Sequence, residues 1–173
     1  PNGSLDVHFV TSDQDTEQAL AGVLELAFLT WPPQGDSRLN YSTIWNDPLV
    51  FVAAPFHPLA QRSNLKLEDL IAYPSLLPSI QTYTSQITLA EFEKKGLKPK
   101  ITMSNNPLES IRMLVSIGLG WSVLPQNLIN QDLQRLNIPL EMSRKLGLVW
   151  HPGRSQSRAM LELIDMMDTE IKI

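Results

Sequence analysis

The sequence predicts an α/β fold in which strands alternate with helices. The apolar run at residues 49–54 (LVFVAA) is continuous, as in a strand that is buried on both faces. The segment at residues 106–109 (NPLE) has a capping residue, a proline and a glutamate in the order that starts a helix. Met160, Ile164 and Met167 recur at helical spacings, which predicts a buried stripe. This alternation is typical of a mostly parallel sheet covered by helices.

Turn residues divide the chain into a regular series of elements. Pro55 and Pro78 end strands, whereas Gly96 and Gly118 end helices. The predicted strands cover residues 5–10, 23–29, 39–45, 49–54, 75–77, 100–103, 121–124 and 146–150. The predicted helices cover residues 13–21, 67–70, 83–95, 107–117 and 155–171, and a short helix follows Pro125. Because a new strand–helix cycle starts after Pro55, we expect the chain to leave one lobe there and to build a second.

Composition excludes several kinds of site. A chain of 173 residues, 43% of them hydrophobic and 18% charged, fits one ordinary domain or two small lobes. It has no cysteine, which excludes disulfides, thiolate metal ligands and cysteine nucleophiles. No apolar stretch approaches the roughly 20 residues that span a bilayer, so we expect no membrane association. The net charge of −4 gives no reason to expect DNA contact by this segment.

The polar loops that follow the predicted strands are the candidate ligand site. In open α/β sheets, ligands bind beyond the carboxyl ends of the strands, where helix N-termini present unpaired N–H groups. Hydroxyl and amide side chains in such loops can hold a small polar ligand, and Tyr83 with the pair Thr30-Trp31 offers a stacking surface for an aromatic one. No Arg or Lys lies in these loops, so a charged ligand would depend on helix ends. The candidate ligand-binding residues are Thr11, Ser12, Thr30, Ser79, Thr82, Tyr83, Thr84, Ser104 and Asn105.

Structural roles explain the other polar residues. Ser12 has the position of a helix cap, a role that is compatible with ligand binding. The carboxylates after it, Asp13 and Asp15, complement a helix dipole rather than form an acid–base pair. The histidines, at residues 8, 57 and 151, lack metal-ligand spacing, so we expect no metal site and no cofactor. Ser122 does not lie in a G-x-S-x-G turn, and no catalytic set is evident, so we do not expect an enzyme.

Four segments, in order along the chain, resemble one family of bacterial regulators. Residues 50–60 (VFVAAPFHPLA) are similar to the strand and HPLA segment of LysR-type transcriptional regulators, and residues 67–70 (LEDL) to the L-x-D-L that follows it. Residues 24–28 (LELAF) resemble the family's LDLAI strand, with Glu25 in place of the usual aspartate. Residues 115–125 (VSIGLGWSVLP) resemble its V-A-x-G-x-G-I-x-x-L-P segment.

The resemblance implies the effector-binding domain of such a regulator. This domain has a two-lobed, periplasmic-binding-protein-like (type 2) fold with two crossovers. Lobe one would comprise residues 1–53 and 141–173, and lobe two residues 54–140. The DNA-binding winged helix-turn-helix and the first strand–helix unit of lobe one would lie outside this chain. The implied protein is a cytoplasmic homodimer or homotetramer that binds DNA only through the winged helix.

The resemblance also implies where and how an effector acts. It agrees with effector contacts at Ser12, at residues 82–84, and at Ser104 and Asn105. A small molecule in the interlobe cleft, such as a carboxylate or an aromatic acid, would change lobe geometry and oligomer contacts, and thereby DNA binding. Two alternatives stay open: a solute-binding protein of a transport system with the same fold, and an enzyme on a similar fold. The residues that precede Pro1 would distinguish the regulator from the solute-binding protein.

Overall fold

The computed structural model describes residues 21, 24–32, 34–104, 107–153 and 155–170. The chain divides into two units: unit 1 is Pro1–Asn46 with Lys145–Ile173, and unit 2 is Asp47–Arg144. The lobe boundaries predicted from the sequence, after residues 53 and 140, lie further into unit 2 than these division points. The predicted strand at residues 5–10 and the predicted helix at 13–21 lie outside the described residues, apart from Ala21.

Unit 1 contains β1 (Ala27–Thr30), the first part of β2 (Asn40–Ala53), the last part of β7 (Met142–Trp150) and α4 (Arg158–Glu170). Strand β1 pairs antiparallel with β7, and Ala27 lies opposite Val149. These two residues pack with Leu29 and Leu39 in a small apolar core. Gly147 is required where β7 passes close to β2, because a Cβ there would overlap the Ser42 carbonyl oxygen.

Unit 2 contains the last part of β2 and a strand–helix series. The series is α1 (Leu67–Leu70), β3 (Pro74–Leu76), α2 (Tyr83–Glu93), β4 (Lys100–Met103), α3 (Leu108–Ser116), β5 (Ser122–Pro125), a 3₁₀ turn (Gln126–Leu128) and β6 (Gln134–Arg135). Strand β2 pairs antiparallel with β5 and β6. Strand β3 pairs parallel with β4, and a bridge between Ser75 and Trp121 joins it in parallel to the start of β5.

The prediction of a mostly parallel sheet is wrong for the described residues. Three of the described strand pairs, β1 with β7 and β2 with β5 and β6, are antiparallel, whereas β3 with β4 is parallel. The sequence did not reveal that residues 40–53 form one continuous strand of 14 residues. The sequence predicted two strands there, at residues 39–45 and 49–54, with residues 46–48 between them. In the structure the strand continues through residues 46–48, and the mostly buried Asp47 carboxylate is paired with Arg144.

Two apolar clusters form the core of unit 2. The first contains Phe51, Phe92 and Trp121, whose indole Nε1 donates to the Leu70 carbonyl at 3.0 Å. The second has Val52 at its centre and packs the buried face of α3. The predicted bounds of α1 and β4 are confirmed. The predicted cap of α3 is wrong by one residue, because the helix begins at Leu108 and Pro107 occupies the N-cap position, where it forms no side-chain cap hydrogen bond.

Candidate functional site

A hydrogen-bonded loop leads from β3 into α2. Thr82 caps the helix: its Oγ1 accepts from the Ser85 N–H at 3.3 Å and donates to the Ser79 carbonyl at 2.8 Å. The buried Ser85 hydroxyl donates to the Pro78 carbonyl at 2.8 Å. The Thr82 N–H donates to the same Ser79 carbonyl at 2.9 Å. These bonds fix the loop, because each of them joins two groups that are at most seven residues apart in the sequence.

The first two N–H groups of α2 lack an acceptor among the described residues. The initial N–H groups of any helix lack a carbonyl one turn earlier. The structure gives those of Tyr83 and Thr84 no acceptor among the described residues. Helix α2 has 11 residues, long enough to contribute partial positive charge at this end. Two free N–H groups and this partial charge are the features of a site for a carboxylate or phosphate group.

An ion pair lies against the first turn of α2. The Arg144 Nε donates to Asp47 Oδ2 at 2.7 Å, and its Nη1 donates to Thr84 Oγ1 at 3.3 Å. The pair is mostly buried, with 17% of the Arg144 side chain and 9% of the Asp47 side chain exposed. Thr84 is itself 4% exposed. A guanidinium group therefore lies beside the helix N-terminus, although none was expected from the loop sequences.

Ser104 follows β4 at the carboxyl edge of the parallel pair. The Leu77 N–H, just after β3, donates to the Met103 carbonyl at 3.3 Å, so the two strands end side by side. Ser104 is exposed there, and the loop that starts at Pro78 leaves from the same edge. Asn105 lies outside the described residues. This edge is where ligands bind in open sheets with parallel strands.

The predicted residues at the end of β1 belong to unit 1. Thr30 is 9% exposed and lies opposite Leu146. The Trp31 ring packs on Tyr41 with ring centroids 4.8 Å apart, and Lys145 Nζ lies 5.6 Å from its centroid. The buried Trp31 Nε1 has no hydrogen-bond partner among the described residues. Much of the ring surface expected to stack on a ligand is thus in contact with the protein. Thr11 and Ser12 lie outside the described residues.

Four of the predicted site residues lie in one short segment, residues 79–84. The structure places three further residues at this site that the sequence analysis did not identify. The four are Ser79, Thr82, Tyr83 and Thr84. Ser85 was missed although it follows them directly. Its position three residues after a threonine cap was a signal, because a cap accepts from the backbone N–H at that position. Asp47 and Arg144 were missed because they lie 97 residues apart, and nothing local marks either one as a partner of α2.

Other polar groups of the described residues have structural partners. The fully buried Ser122 hydroxyl donates to the Leu76 carbonyl at 2.5 Å, inside unit 2. Burial lowers the pKa of His57, whose Nδ1 accepts from the Leu59 N–H at 3.2 Å. His151 Nδ1 accepts from the Gly153 N–H at 3.1 Å in a turn. In the part of the chain that the structure describes, no group of three or more His, Asp or Glu side chains could hold a metal ion.

A separate groove of about 490 Å³ lies in unit 2, where β2 and β7 leave the unit. Its apolar wall includes Leu140 and Met142, and its rim carries Arg135 and Glu141. Its lining contains none of the predicted site residues. The loop before α2 and the first turn of that helix contain four of the predicted site residues, so we take this segment and the adjacent ion pair as the candidate site. No described helix has both the length and the apolar character needed to cross a bilayer.

Comparison with known proteins identifies relatives along the whole chain. The family model for the LysR substrate binding domain matches residues 1–172. One relative is the uncharacterized HTH-type transcriptional regulator YnfL of Escherichia coli (strain K12), which is 29% identical over 164 residues. That match covers 89% of this chain and 55% of YnfL. The chain thus spans about half the length of the curated relatives that it matches.

Solved structures share the fold. The regulatory domain of CcmR from Synechocystis PCC6803, in complex with 2-PG, has a TM-score of 0.82 at 22% identity over 94% of this chain and 80% of that one. The effector binding domain of QuiR, in complex with shikimate, has a TM-score of 0.79 at 20% identity over 91% of this chain and 77% of that one. These neighbours confirm the predicted two-lobed, periplasmic-binding-protein-like fold.

Proposed function

The chain belongs to the family of LysR substrate binding domains, and from this premise we propose that it is the effector-binding part of a LysR-type transcriptional regulator. The proposed effector is a small molecule, in line with the two neighbours that are complexes with 2-PG and shikimate. The family match favours this function over a transport-linked solute-binding protein. We also propose that the chain does not catalyse a reaction. In this proposal, the site binds its effector reversibly and does not convert it.

We propose that the effector binds at the N-terminus of α2, with contacts to the loop before it and to Ser104. The observation that supports this most is the pair of N–H groups at Tyr83 and Thr84, which have no acceptor within the part of the chain that the structure describes and lie beside the Arg144 guanidinium. Both features favour an anionic oxygen. Thr82 and Ser79 supply hydroxyl groups at the same place. A small carboxylate, including an aromatic acid, is the ligand class that this arrangement favours.

The remaining predicted contacts are part of the same proposal. We place Thr11, Ser12, Thr30 and Asn105 among the effector contacts on the strength of their positions after predicted strands and the family resemblance. The proposed lobes remain residues 1–53 with 141–173, and 54–140. The division of the structure near residues 46 and 144 supports two lobes with boundaries on β2 and β7.

Regulation requires that the effector bind one state of the regulator better than another. A ligand shifts an equilibrium only by its difference in affinity for the two states. We propose that this shift reaches DNA through a winged helix-turn-helix in the remainder of the protein, as a homodimer or homotetramer in the cytoplasm. The names of the relatives, which are HTH-type transcriptional regulators, support a DNA-binding region of that kind.

A thermal-shift screen of carboxylates, amino acids and aromatic acids tests the proposed function. A ligand at a hundred times its Kd stabilises the folded chain by about 2.7 kcal/mol, which a melting curve detects. We expect at least one acid to raise the melting temperature. Replacing Ser12 or Thr82 by Ala should reduce that rise, each measured against the variant's own unliganded melting temperature.

Ser116→Ala is the matched control for this screen. It removes a hydroxyl that donates to the Met113 carbonyl at the end of α3, in the same unit but at a helix C-terminus. It should keep the full ligand-induced rise. The site assignment is wrong if a stabilising acid keeps its full effect in both Ser12→Ala and Thr82→Ala.

A further inference from the structure

We propose that Asp47 and Arg144 form a positioning pair that holds the Thr84 hydroxyl as a hydrogen-bond donor toward the effector, so that the group bound there must be an acceptor. This inference rests on the proposed function, because it concerns the same site at the start of α2. It adds a specificity rule: a carboxylate or carbonyl oxygen is accepted at this position, and an ammonium group is rejected. Neither Asp47 nor Arg144 was among the residues predicted from the sequence.

The guanidinium group of Arg144 is held in one orientation. Its Nε–H donates to Asp47 Oδ2 at 2.7 Å, and the carboxylate side chain is 9% exposed. A charge-assisted bond of this length between mostly buried partners restricts rotation of the planar guanidinium. The Nη1 group of the same plane is directed at Thr84 Oγ1, at 3.3 Å. Asp47 therefore acts on Thr84 through Arg144.

The hydrogen-bonding capacity of the Thr84 hydroxyl determines its role. A threonine hydroxyl has one hydrogen to donate and lone pairs to accept with. Arg144 is a donor only, so Thr84 accepts from it and must direct its own hydrogen elsewhere. Helical threonines usually donate to a carbonyl one turn earlier, as Thr88 does to the Thr84 carbonyl at 2.8 Å. No acceptor for the Thr84 hydrogen is found among the described residues, and Thr84 is 4% exposed.

A buried O–H without an acceptor is unfavourable, so a ligand oxygen that accepts from it gains binding free energy. The N–H groups of Tyr83 and Thr84, also without acceptors among the described residues, present donors at the same place. These three donors are matched by the acceptor oxygens of a carboxylate and not by an ammonium group, which only donates. A primary amide, which offers one acceptor and carries its own N–H donors, should bind less tightly than the isosteric acid.

The positioning role is tested by amide hydrogen exchange on the 173-residue chain, without ligand. The double variant D47N/R144Q removes both charges together, which avoids leaving one buried charge unpaired. We expect exchange of the amides at residues 85 and 86, which donate to Thr82, to rise at least about tenfold in D47N/R144Q and in Thr84→Val. Thr84→Ser keeps the hydroxyl and should keep the protection. E109Q/R112Q, which removes an exposed ion pair of α3, is the control and should leave these amides unchanged.

The specificity rule is tested with acids and their own primary amides, using benzoate with benzamide and acetate with acetamide as probes. The wild type should bind an acid at least about tenfold more tightly than its amide, and D47N/R144Q should narrow that ratio to about threefold or less. Unchanged exchange of the amides at residues 85 and 86 in D47N/R144Q would overturn the positioning role. An unchanged acid-to-amide ratio would overturn the specificity rule. If exchange rises as expected but no acid binds the wild type, the positioning role stands while the specificity rule and the proposed function fail.

Discussion

Thr82 combines two tasks in one side chain. Its Oγ1 accepts from the Ser85 N–H and donates to the Ser79 carbonyl, so the hydroxyl caps α2 and also fixes the loop before it. A cap of this type contributes about 1 kcal/mol to stability. The same hydroxyl group lies in the proposed effector site. Stability and binding are therefore linked at this residue, and a variant must be judged on both.

Thr82→Ala should lower the free energy of unfolding by about 1 kcal/mol, because two hydrogen bonds at the start of α2 are lost. Urea denaturation at neutral pH measures the change. Thr82→Ser keeps the hydroxyl and is the control, with an expected loss of less than about 0.5 kcal/mol. An equal loss in both variants would mean that the methyl group of Thr82, and not the cap, stabilises the loop.

His57 should make stability depend on pH. Burial lowers its pKa from the usual 6.5, and its Nδ1 must be unprotonated to accept from the Leu59 N–H. The unfolded chain takes up a proton near pH 6.5, whereas the folded chain does so only at lower pH. The stabilising contribution is therefore full above pH 6.5 and is lost as the pH falls toward the folded pKa.

His57→Asn isolates this contribution, because the amide oxygen can replace Nδ1 as the acceptor and does not titrate. Urea midpoints at about pH 7.5 and about pH 5.5 should fall less in the variant than in the wild type. His8 and His151 are present in both proteins, so the difference between the two midpoint shifts reports on His57. Identical shifts would show that His57 does not contribute.

At the level of residues, the sequence locates polar groups around the start of α2 where the signal is local. Thr82 and Ser79 stand directly between a strand end and a helix start, and hydroxyl residues in that position are typical caps and loop formers. Arg144 could not be found in this way, since its partners Asp47 and Thr84 are 97 and 60 residues away in sequence. The hydroxyl groups of the candidate site were thus predictable, whereas its guanidinium group was not.

At the scale of elements, β2 shows why local patterns give wrong strand boundaries. The sequence predicted two strands, at residues 39–45 and 49–54, but residues 40–53 are one strand. Asp47, within that strand, is buried and pairs with Arg144, a partner 97 residues away that no local pattern reveals. Elements whose signals are local, such as α1 and β4, had bounds that the sequence predicted correctly.

Gly120→Ala should disrupt the contact between β3 and the start of β5. A Cβ at Gly120 would overlap the Pro74 carbonyl oxygen, which accepts from the Trp121 N–H at 3.0 Å. Backbone must move to relieve that overlap, so we expect a loss of about 3 kcal/mol in unfolding free energy. Gly96→Ala is the control: nothing lies within 4 Å, and its φ of +67° should cost about 1 kcal/mol. An equal loss of unfolding free energy in the two variants would mean that the backbone at the start of β5 moves without further cost.

At the scale of the whole molecule, the order of elements was predicted better than their pairing. Strand–helix alternation from Pro74 to Ser116 was evident from turn residues and apolar runs. The return of the chain in β7, which pairs with β1, joins segments more than a hundred residues apart. Only the resemblance to a family implied that return. Periodicity describes one element at a time and contains no information on which distant strand becomes its partner.

The charge of the whole chain leads to a prediction about DNA. Affinity for duplex DNA depends on Lys and Arg groups that replace counterions along the phosphates. This chain has a net charge of −4 at pH 7, with 14 Lys and Arg against 18 Asp and Glu. We expect no saturable binding to a duplex in fluorescence anisotropy at about 50 mM salt, where electrostatic binding is strong. The chain spans 55% of YnfL, an HTH-type regulator, so a longer protein that includes such a region is the matched comparison and should bind. Saturable binding by this chain, weakening with added salt, would instead place a phosphate-contacting surface within residues 1–173.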